Sequence, residues 1–314
     1  MELLTEERYE FAGSGILIRS NSDKLLAHLR AVYGRFLRET AEPSHGYTET
    51  SGNKPVVTID ILDERSALNE ITVNDGFYMY RISRHNGTYK WSYQEMKPGA
   101  PKYTDECDLL HFVQTVVLRT VTLTLTAYNL FHAGVVAWRN RGIVLAAHPD
   151  MGKTTLTLKL VMSGCGFLSD EIACFTPDLS GLVAFPRSVS IRNNSRKLLG
   201  LPEFTQSTDV IKTAENEWML DIEKIVPGSL AEACTPDFIF FLRGFGDRPR
   251  LEPMPASAAL LELLKFTYCP VPDPAKLLYE CAPLINSLRC YSLISGNLDE
   301  TAQLILNEAD REIS

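Results

Sequence analysis

The sequence lacks the features that mark several common classes of protein. Its seven cysteines form no Cys-x-x-Cys pair, and no histidine is spaced from them as a zinc site requires. We also find no internal repeat and no low-complexity tract. An odd, scattered set of cysteines is typical of buried thiols in a reducing compartment. The cysteines are Cys107, Cys165, Cys174, Cys234, Cys269, Cys281 and Cys290.

Positive charge is also scarce, because 31 lysines and arginines face 39 aspartates and glutamates, for a formal net charge of -8. No overall field therefore draws the chain to nucleic acid or to anionic lipid, and we expect neither as a partner. The first eight residues include Glu2, Glu6 and Glu7 and lack the apolar core of a signal peptide. We expect a cytoplasmic protein.

One apolar run, Leu109 to Phe131, is long enough to suggest a membrane span. His111, Gln114, Arg119 and several threonines interrupt it, and such a density of polar groups is costly in hydrocarbon. The composition therefore favours a buried helix.

The first hundred residues combine helix and strand patterns. Asn21 to Asp23 offers an N-cap for a helix that follows a strand-like run from Tyr9 to Arg19. Pro55 to Leu62 alternates as a strand does, and Asn86-Gly87 is a strong hairpin signal between two β-type runs. These patterns predict a small α+β domain.

The Pro- and Gly-containing stretch from Lys97 to Lys102 is the most linker-like segment, so we predict one domain over 1–102 and a second over 103–314. A long helix from about Asp105 to Tyr128 opens the second domain, and alternating strand-like and helix-like runs then predict an α/β fold. The strand-like runs are Phe131–Trp138, Gly142–Ala147, Gly166–Phe175, Leu182–Ile191, Asp237–Leu242 and Cys290–Ile294, and the helix-like runs are Thr154–Met162, Ser257–Phe266 and Leu298–Ile305.

A strand, a loop and a helix with Gly-Lys-Thr at its start form the context of a phosphate-binding loop. Here Ile143–Ala146 leads through Ala147–Met151 into Gly152-Lys153-Thr154-Thr155. In such a loop the backbone amides and the lysine bind phosphates and the threonine hydroxyl ligates Mg²⁺. Ala147 stands where the motif has glycine, and a helix that merely begins with Gly-Lys-Thr is the alternative. We predict ATP and Mg²⁺ at Asp150, Met151, Gly152, Lys153, Thr154 and Thr155.

Two adjacent acids, Asp170 and Glu171, interrupt an otherwise apolar strand-like run from Phe167 to Phe175. Burial of such acids is costly unless they are used. In phosphoryl transfer, acids at this place hold Mg²⁺ or accept the proton of the attacking hydroxyl. The alternative is a strand-end pair that faces solvent.

These segments together resemble the HPr kinase/phosphorylase family and its HPr-kinase-related relatives. The resemblance is carried by Phe131-His132-Ala133-Gly134, Gly152-Lys153-Thr154, Leu168–Glu171 and Phe185–Arg192. It implies an α/β fold with a mixed sheet and a P-loop core like that of phosphoenolpyruvate carboxykinase, preceded here by the small α+β domain.

The resemblance also implies roles for individual residues. His132 matches an active-site histidine near the transferred phosphate, Lys153 the P-loop lysine and Thr154 the Mg²⁺-binding hydroxyl. Asp170 and Glu171 match paired acids that serve as metal ligands and general base. Ser190 stands where HPr kinases have a metal-binding glutamate.

We therefore expect an ATP-dependent kinase that moves the γ-phosphoryl to a hydroxyl of a peptide, a small protein or a small molecule. The N-terminal domain would form one wall of the acceptor site, and a purely structural cap is the alternative. One of Arg243, Arg248 and Arg250 could reach the phosphates, although solvated loop charge is the alternative. A nucleotide-sensing module without catalysis is the competing hypothesis, and a GTPase is disfavoured because Asn-Lys-x-Asp is missing. The oligomeric state stays open.

Overall fold

The structure, a computed structural model, describes residues 4–38, 57–64, 67–76, 78–86, 88–95, 102–205, 210–214, 216–268 and 274–311. The chain forms two compact units. Met1–Leu125 and Ser207–Glu215 make the first, and Thr126–Gln206 and Asn216–Ser314 make the second. This division falls after Leu125, whereas the sequence predicted it after Lys102. The linker-like stretch 97–101 lies outside the described residues.

The first unit is built on one mixed eight-stranded sheet in the order β3-β1-β2-β4-β5-β6-β7-β8. Only β2 and β4 pair in parallel among its described neighbours. The predicted hairpin is confirmed, because His85 pairs with Thr88 around Asn86; Gly87 lies outside the described residues. Its elements are β1 Thr5–Phe11, β2 Ser14–Ser20, α1 Asp23–Tyr33, β3 Leu37–Arg38, β4 Val57–Asp63, β5 Glu70–Asn74, β6 Tyr78–His85, β7 Thr88–Glu95, β8 Lys102–Cys107 and α2 Leu109–Thr124.

The helix α2 explains why the domain boundary shifts. Asp108 caps its start by accepting from the His111 amide at 2.9 Å, and Val113, Val117 and Val121 are fully buried. The Tyr33 hydroxyl of α1 donates to the Gln114 carbonyl at 2.8 Å, so α2 packs within the first unit. Among the helices of the described ranges, none combines the length and the apolar composition that a bilayer crossing needs.

The second unit also contains a mixed sheet. β10 lies antiparallel to β9 and parallel to β17, which in turn lies parallel to β19. The β9–β10 turn places Arg139 and Asn140 at φ of 50° and 67°, as the tight turns favoured in hairpins do. The elements are β9 Asn129–Trp138, β10 Arg141–Ala147, α3 Lys153–Met162, β11 Gly166–Ser169, β12 Ile172–Phe175, β13 Leu182–Val183, β14 Val189–Arg192, α4 Asn193–Leu198, β15 Val210–Ala214 (in the first unit), β16 Glu217–Leu220, β17 Ala233–Phe245, β18 Arg250–Pro253, α5 Ala256–Leu263, α6 Pro274–Ser287, β19 Arg289–Ser295 and α7 Leu298–Asp310.

Two of the predicted strands are broken. The run Gly166–Phe175 divides into β11 and β12 at Asp170 and Glu171. The run Leu182–Ile191 divides into β13 and β14 around Pro186, whose missing N–H cannot pair in a ladder. Charged side chains lie at both breaks, namely Asp170 and Glu171 at the first and Arg187 at the second.

The cysteines whose side chains the structure describes lie in the interior. All five are free and buried. Burial raises the pKa of the Cys174 thiol to about 12, as expected where a thiolate would be poorly solvated. The five are Cys165, Cys174, Cys234, Cys281 and Cys290, and the side chains of Cys107 and Cys269 lie outside the described residues.

Candidate functional site

The loop after β10 and the end of β17 lie at one edge of the second sheet. The two strands run parallel, and Ala147, the last residue of β10, pairs with Leu242 near the end of β17, so both strands lead to the same edge. The chain then turns into α3 through Asp150 and Gly152, which have φ of 65° and 81°. Aspartate and glycine tolerate this left-handed conformation better than most residues, and the turn presents the start of α3 to the sheet edge.

The first turn of α3 carries the predicted nucleotide-binding residues. Lys153 and Thr155 are each 9% exposed, and the Lys153 ammonium donates to the Asp170 backbone carbonyl. The Thr155 hydroxyl donates to Ser195 Oγ on α4 at 2.8 Å, so this side chain faces α4. The Thr154 side chain is half-buried. The first amides of a helix have no intrahelical acceptor, which leaves them available to an anion.

A close approach between β9 and α3 sets the position of Lys153. A Cβ added to Gly134 would lie 2.3 Å from Thr157 Oγ1 and 3.6 Å from Lys153 Cγ. Any larger side chain would therefore push α3 away from the sheet. This is the physical reason for glycine beside His132 and Ala133.

Asp170 lies at the break between β11 and β12. The Ser169 hydroxyl accepts from the backbone amides of Glu171 and Ile172 at 3.1 and 3.0 Å, which holds the turn. Asp170 is only 2% exposed, and its Oδ1 has no hydrogen-bond partner among the described residues. Burial raises the pKa of its carboxyl, although Arg187 and Lys153 oppose the shift. The alternative of a solvent-facing acid does not fit Asp170.

The neighbouring Glu171 is surrounded by donors. His132 Nδ1 lies 3.2 Å from Oε1, the Tyr268 hydroxyl donates to the same oxygen at 3.0 Å, and Arg187 Nη2 donates to Oε2 at 2.9 Å. Burial raises the pKa of Glu171, but Arg187 and then His132 and Lys153 outweigh it and hold the pKa well below its usual range. Pairing of Ile172 with His132 across β12 and β9 brings these groups together. Glu171 is ionised at neutral pH.

Two of these partners had no predicted role. Arg187 lies in the segment Phe185–Arg192 that carries the resemblance, but nothing in the sequence singled it out. Tyr268 follows the 3₁₀ turn after α5, and its amide donates to the Leu130 carbonyl at 2.9 Å. Since 97 residues separate Tyr268 from Glu171, no local pattern could have joined them.

Asp150, in the loop before α3, and Ser190, where the resemblance expects glutamate, each have a charged neighbour. The Asp150 carboxylate pairs with Arg192, so the acid in the loop is compensated. The Ser190 hydroxyl donates to the Glu217 carboxylate on the adjacent strand β16. A carboxylate therefore lies beside the position where the resemblance expects glutamate.

The arginines after β17 differ in their surroundings. Arg243 Nη1 pairs with Glu262 Oε1 on α5 at 2.7 Å, and Lys265 shares that carboxylate at 2.8 Å. Arg248 and Arg250 are exposed. Arg243 is thus directed towards α5 in this structure. Arg248 fits the alternative of solvated loop charge, and Arg250 is an exposed residue at the start of β18.

No protein-family model and no curated sequence matches the chain. Among solved structures, the HPr(Ser) kinase/phosphatase from Coxiella burnetii matches 57% of this chain and 95% of that chain, with 11% identity and a TM-score of 0.31. This is a distant structural likeness and assigns no role to any residue.

Proposed function

We propose that the chain is an ATP- and Mg²⁺-dependent phosphotransferase that moves the γ-phosphoryl to a hydroxyl group. The observation that carries the proposal is the meeting of Lys153, at the amino end of α3, with Asp170 and Glu171. A buried cation, a helix amino terminus and two acids at one sheet edge are the parts that phosphoryl transfer needs.

Lys153 and the α3 amides would bind the phosphates. The helix dipole favours negative charge at this end, and the ammonium adds a full positive charge beside it. Because Arg192 pairs with Asp150, the loop acid adds little repulsion. Gly152 would contribute its backbone amide, whereas the Met151 amide donates to the His148 carbonyl at 3.3 Å in this structure.

The donor set fits Mg²⁺. Asp170 offers a buried oxygen without a hydrogen-bond partner among the described residues, and Thr154 offers a hydroxyl. Within the same ranges no cluster of three or more His, Cys, Asp or Glu side chains suits a metal. Mg²⁺ at phosphate sites commonly takes one or two carboxylates plus substrate oxygens, so Thr154 and Asp170 would suffice. When bound there, the ion would neutralise charge on the transferring phosphoryl group.

Glu171 is a weaker candidate than Asp170 for a metal ligand, and as a proton acceptor it would be a weak base, because its pKa lies well below its usual range. Both of its oxygens already accept hydrogen bonds from Tyr268 or Arg187. Its side chain is 19% exposed, whereas Asp170 is 2% exposed, so an acceptor hydroxyl reaches Glu171 more readily. His132, beside it, would contact the transferred phosphoryl group. The acceptor is a hydroxyl of a peptide, a small protein or a small molecule.

Calorimetry with Mg²⁺ and ATP tests the binding step. Lys153→Ala should abolish measurable ATP binding, because the phosphates lose a buried positive charge. The variant should stay folded. Lys159→Ala is the matched control. Lys159 lies in the last turn of the same helix, away from Lys153, and pairs with Asp299. Unchanged ATP affinity in a folded Lys153→Ala variant would contradict the proposal.

Turnover separates a kinase from a nucleotide sensor. We expect Asp170→Asn and Glu171→Gln each to lower turnover by a hundredfold or more, roughly 3 kcal/mol in activation free energy. Only Asp170→Asn should also change the dependence on Mg²⁺. Labelling a lysate of the source organism with γ-labelled ATP would identify the acceptor. Tight ATP binding with no labelled product would favour the hypothesis of a nucleotide sensor without catalysis. The observation that supports this hypothesis is Ser190 in the place of a metal-binding acid.

A further inference from the structure

Phe245 is an exposed aromatic side chain beside the loop that precedes α3. It is 68% exposed, and it is the only phenylalanine among the exposed large apolar side chains of the described residues. A Cβ built on Gly152 would lie 3.4 Å from Phe245 Cζ and 3.5 Å from Cε1. The ring therefore lies against Gly152 and leaves much of its surface open to solvent.

The backbone fixes this position. β17 extends past the end of its neighbour β10, and its pairing with β19 shifts register between Leu242 and Gly244. Gly244 has a φ of 135°, which side-chain-bearing residues rarely adopt. Immediately afterwards the Gly246 amide donates to the Ser295 carbonyl at 2.8 Å. Phe245 is thus held between two fixed points rather than on a free loop.

We infer that Phe245 is a platform on which the base of a purine nucleotide stacks. The inference rests on the proposed function, which puts the phosphates at the amides next to Gly152. The exposed face of Phe245 beside that glycine can stack against another ring, and base–aromatic stacking contributes about 1–3 kcal/mol of binding free energy per base. Stacking reads the face of a base and not its hydrogen-bonding edge, so this residue would bind adenine and guanine nucleotides alike.

The test compares nucleotides with inorganic tripolyphosphate, which carries the phosphates without a base. Phe245→Ala should weaken binding of Mg²⁺-ATP and Mg²⁺-GTP by about 5- to 150-fold, the equivalent of one lost stacking contact. Its affinity for Mg²⁺-tripolyphosphate should not change. Phe245→Trp should retain nucleotide affinity, and Tyr279→Ala, which removes an aromatic ring that is 80% exposed on α6, should have no effect.

Three outcomes would overturn the inference. Equal losses for ATP and tripolyphosphate in Phe245→Ala would mean that the ring shapes the loop instead of holding a base. Equal affinity of the wild type for ATP and tripolyphosphate would mean that the base adds nothing. If the wild type bound neither compound, both this inference and the proposed function would fall, whereas the first two outcomes leave the phosphate site standing.

Discussion

Removing one partner of the ion pair between Arg187 and Glu171 should strongly destabilise the second unit. Nη2 of Arg187 lies 2.9 Å from Oε2 of Glu171, and the two side chains are only 8% and 19% exposed. Water therefore screens the pair poorly. We predict that Arg187→Met and Glu171→Gln are strongly destabilising singly and that their effects are not additive.

The magnitude follows from distance and burial. At 2.9 Å and an effective dielectric constant of about 20, the gross attraction is about 6 kcal/mol. Desolvation offsets part of this, and removal of one partner from a buried pair typically costs about 3–5 kcal/mol. Partial exposure of Glu171 lowers our expectation to about 3 kcal/mol for each single variant. The double variant loses no further charge pair, so we expect a coupling free energy of about 2 kcal/mol.

Urea unfolding at pH 7 without added metal provides the measurement. The chain has three tryptophans, so a Trp91→Phe background leaves Trp138 and Trp218, both in the second unit, as probes. Arg311 and Glu308 form the control pair, because Arg311 is 75% exposed and the pair should couple by less than about 0.5 kcal/mol. A coupling of Arg187 with Glu171 as small as that of the control would refute the reasoning from burial.

Two further predictions concern hydrogen bonds to buried groups. Tyr268→Phe removes the 3.0 Å hydrogen bond to Glu171 and should lower kcat about tenfold with little change in the affinity for ATP. An equal loss of affinity for ATP in calorimetry would contradict a positioning role for Tyr268. Burial lowers the pKa of His28, which contacts Gln114 at 3.1 Å, so the unfolded state binds this proton first as pH falls. The free energy of unfolding of the first unit should therefore decline below about pH 6.5, the ordinary pKa of histidine. His28→Gln should flatten that decline in urea titrations that follow Trp91.

The local part of the site was predictable from the sequence. The segment from Gly152 to Thr155 begins a helix after a buried strand, as its pattern indicated. The glycine, the apolar run before it and the apolar face after it all lie within about ten residues, so a local pattern can predict the turn from strand to helix. His132 and Glu171 also meet, because Ile172 of β12 pairs with His132 of β9.

Other features depend on contacts that no local pattern records. Tyr268 reaches Glu171 across 97 residues of sequence, and α6 was missed because Pro283 lies inside it. The observed division of the chain after Leu125 also depends on such contacts. Turn-forming residues before Lys102 mark a chain reversal equally well inside a domain and between domains, and only the packing of α2 decides.

The position of α2 leads to a last prediction about how the units separate. A variant that begins at residue 103 would keep α2 but lose the sheet and helix that bury it. Six apolar residues of α2 are buried, and each contributes about 1.5–3 kcal/mol through burial, so the variant would expose a large apolar surface. They are Leu109, Val113, Val116, Val117, Leu118 and Val121.

A variant over 126–314 removes that helix and is the matched comparison. We expect the 103–314 variant to bind a hydrophobic dye and to aggregate in size-exclusion chromatography, and the 126–314 variant to do neither. If the 103–314 variant stayed monomeric without binding dye, α2 would belong to the second unit, as the sequence first indicated. The 126–314 variant is then the proper test of an acceptor-binding role for the first unit. Because every residue proposed to bind phosphate lies beyond Thr126, it should retain ATP binding and lose transfer to the acceptor.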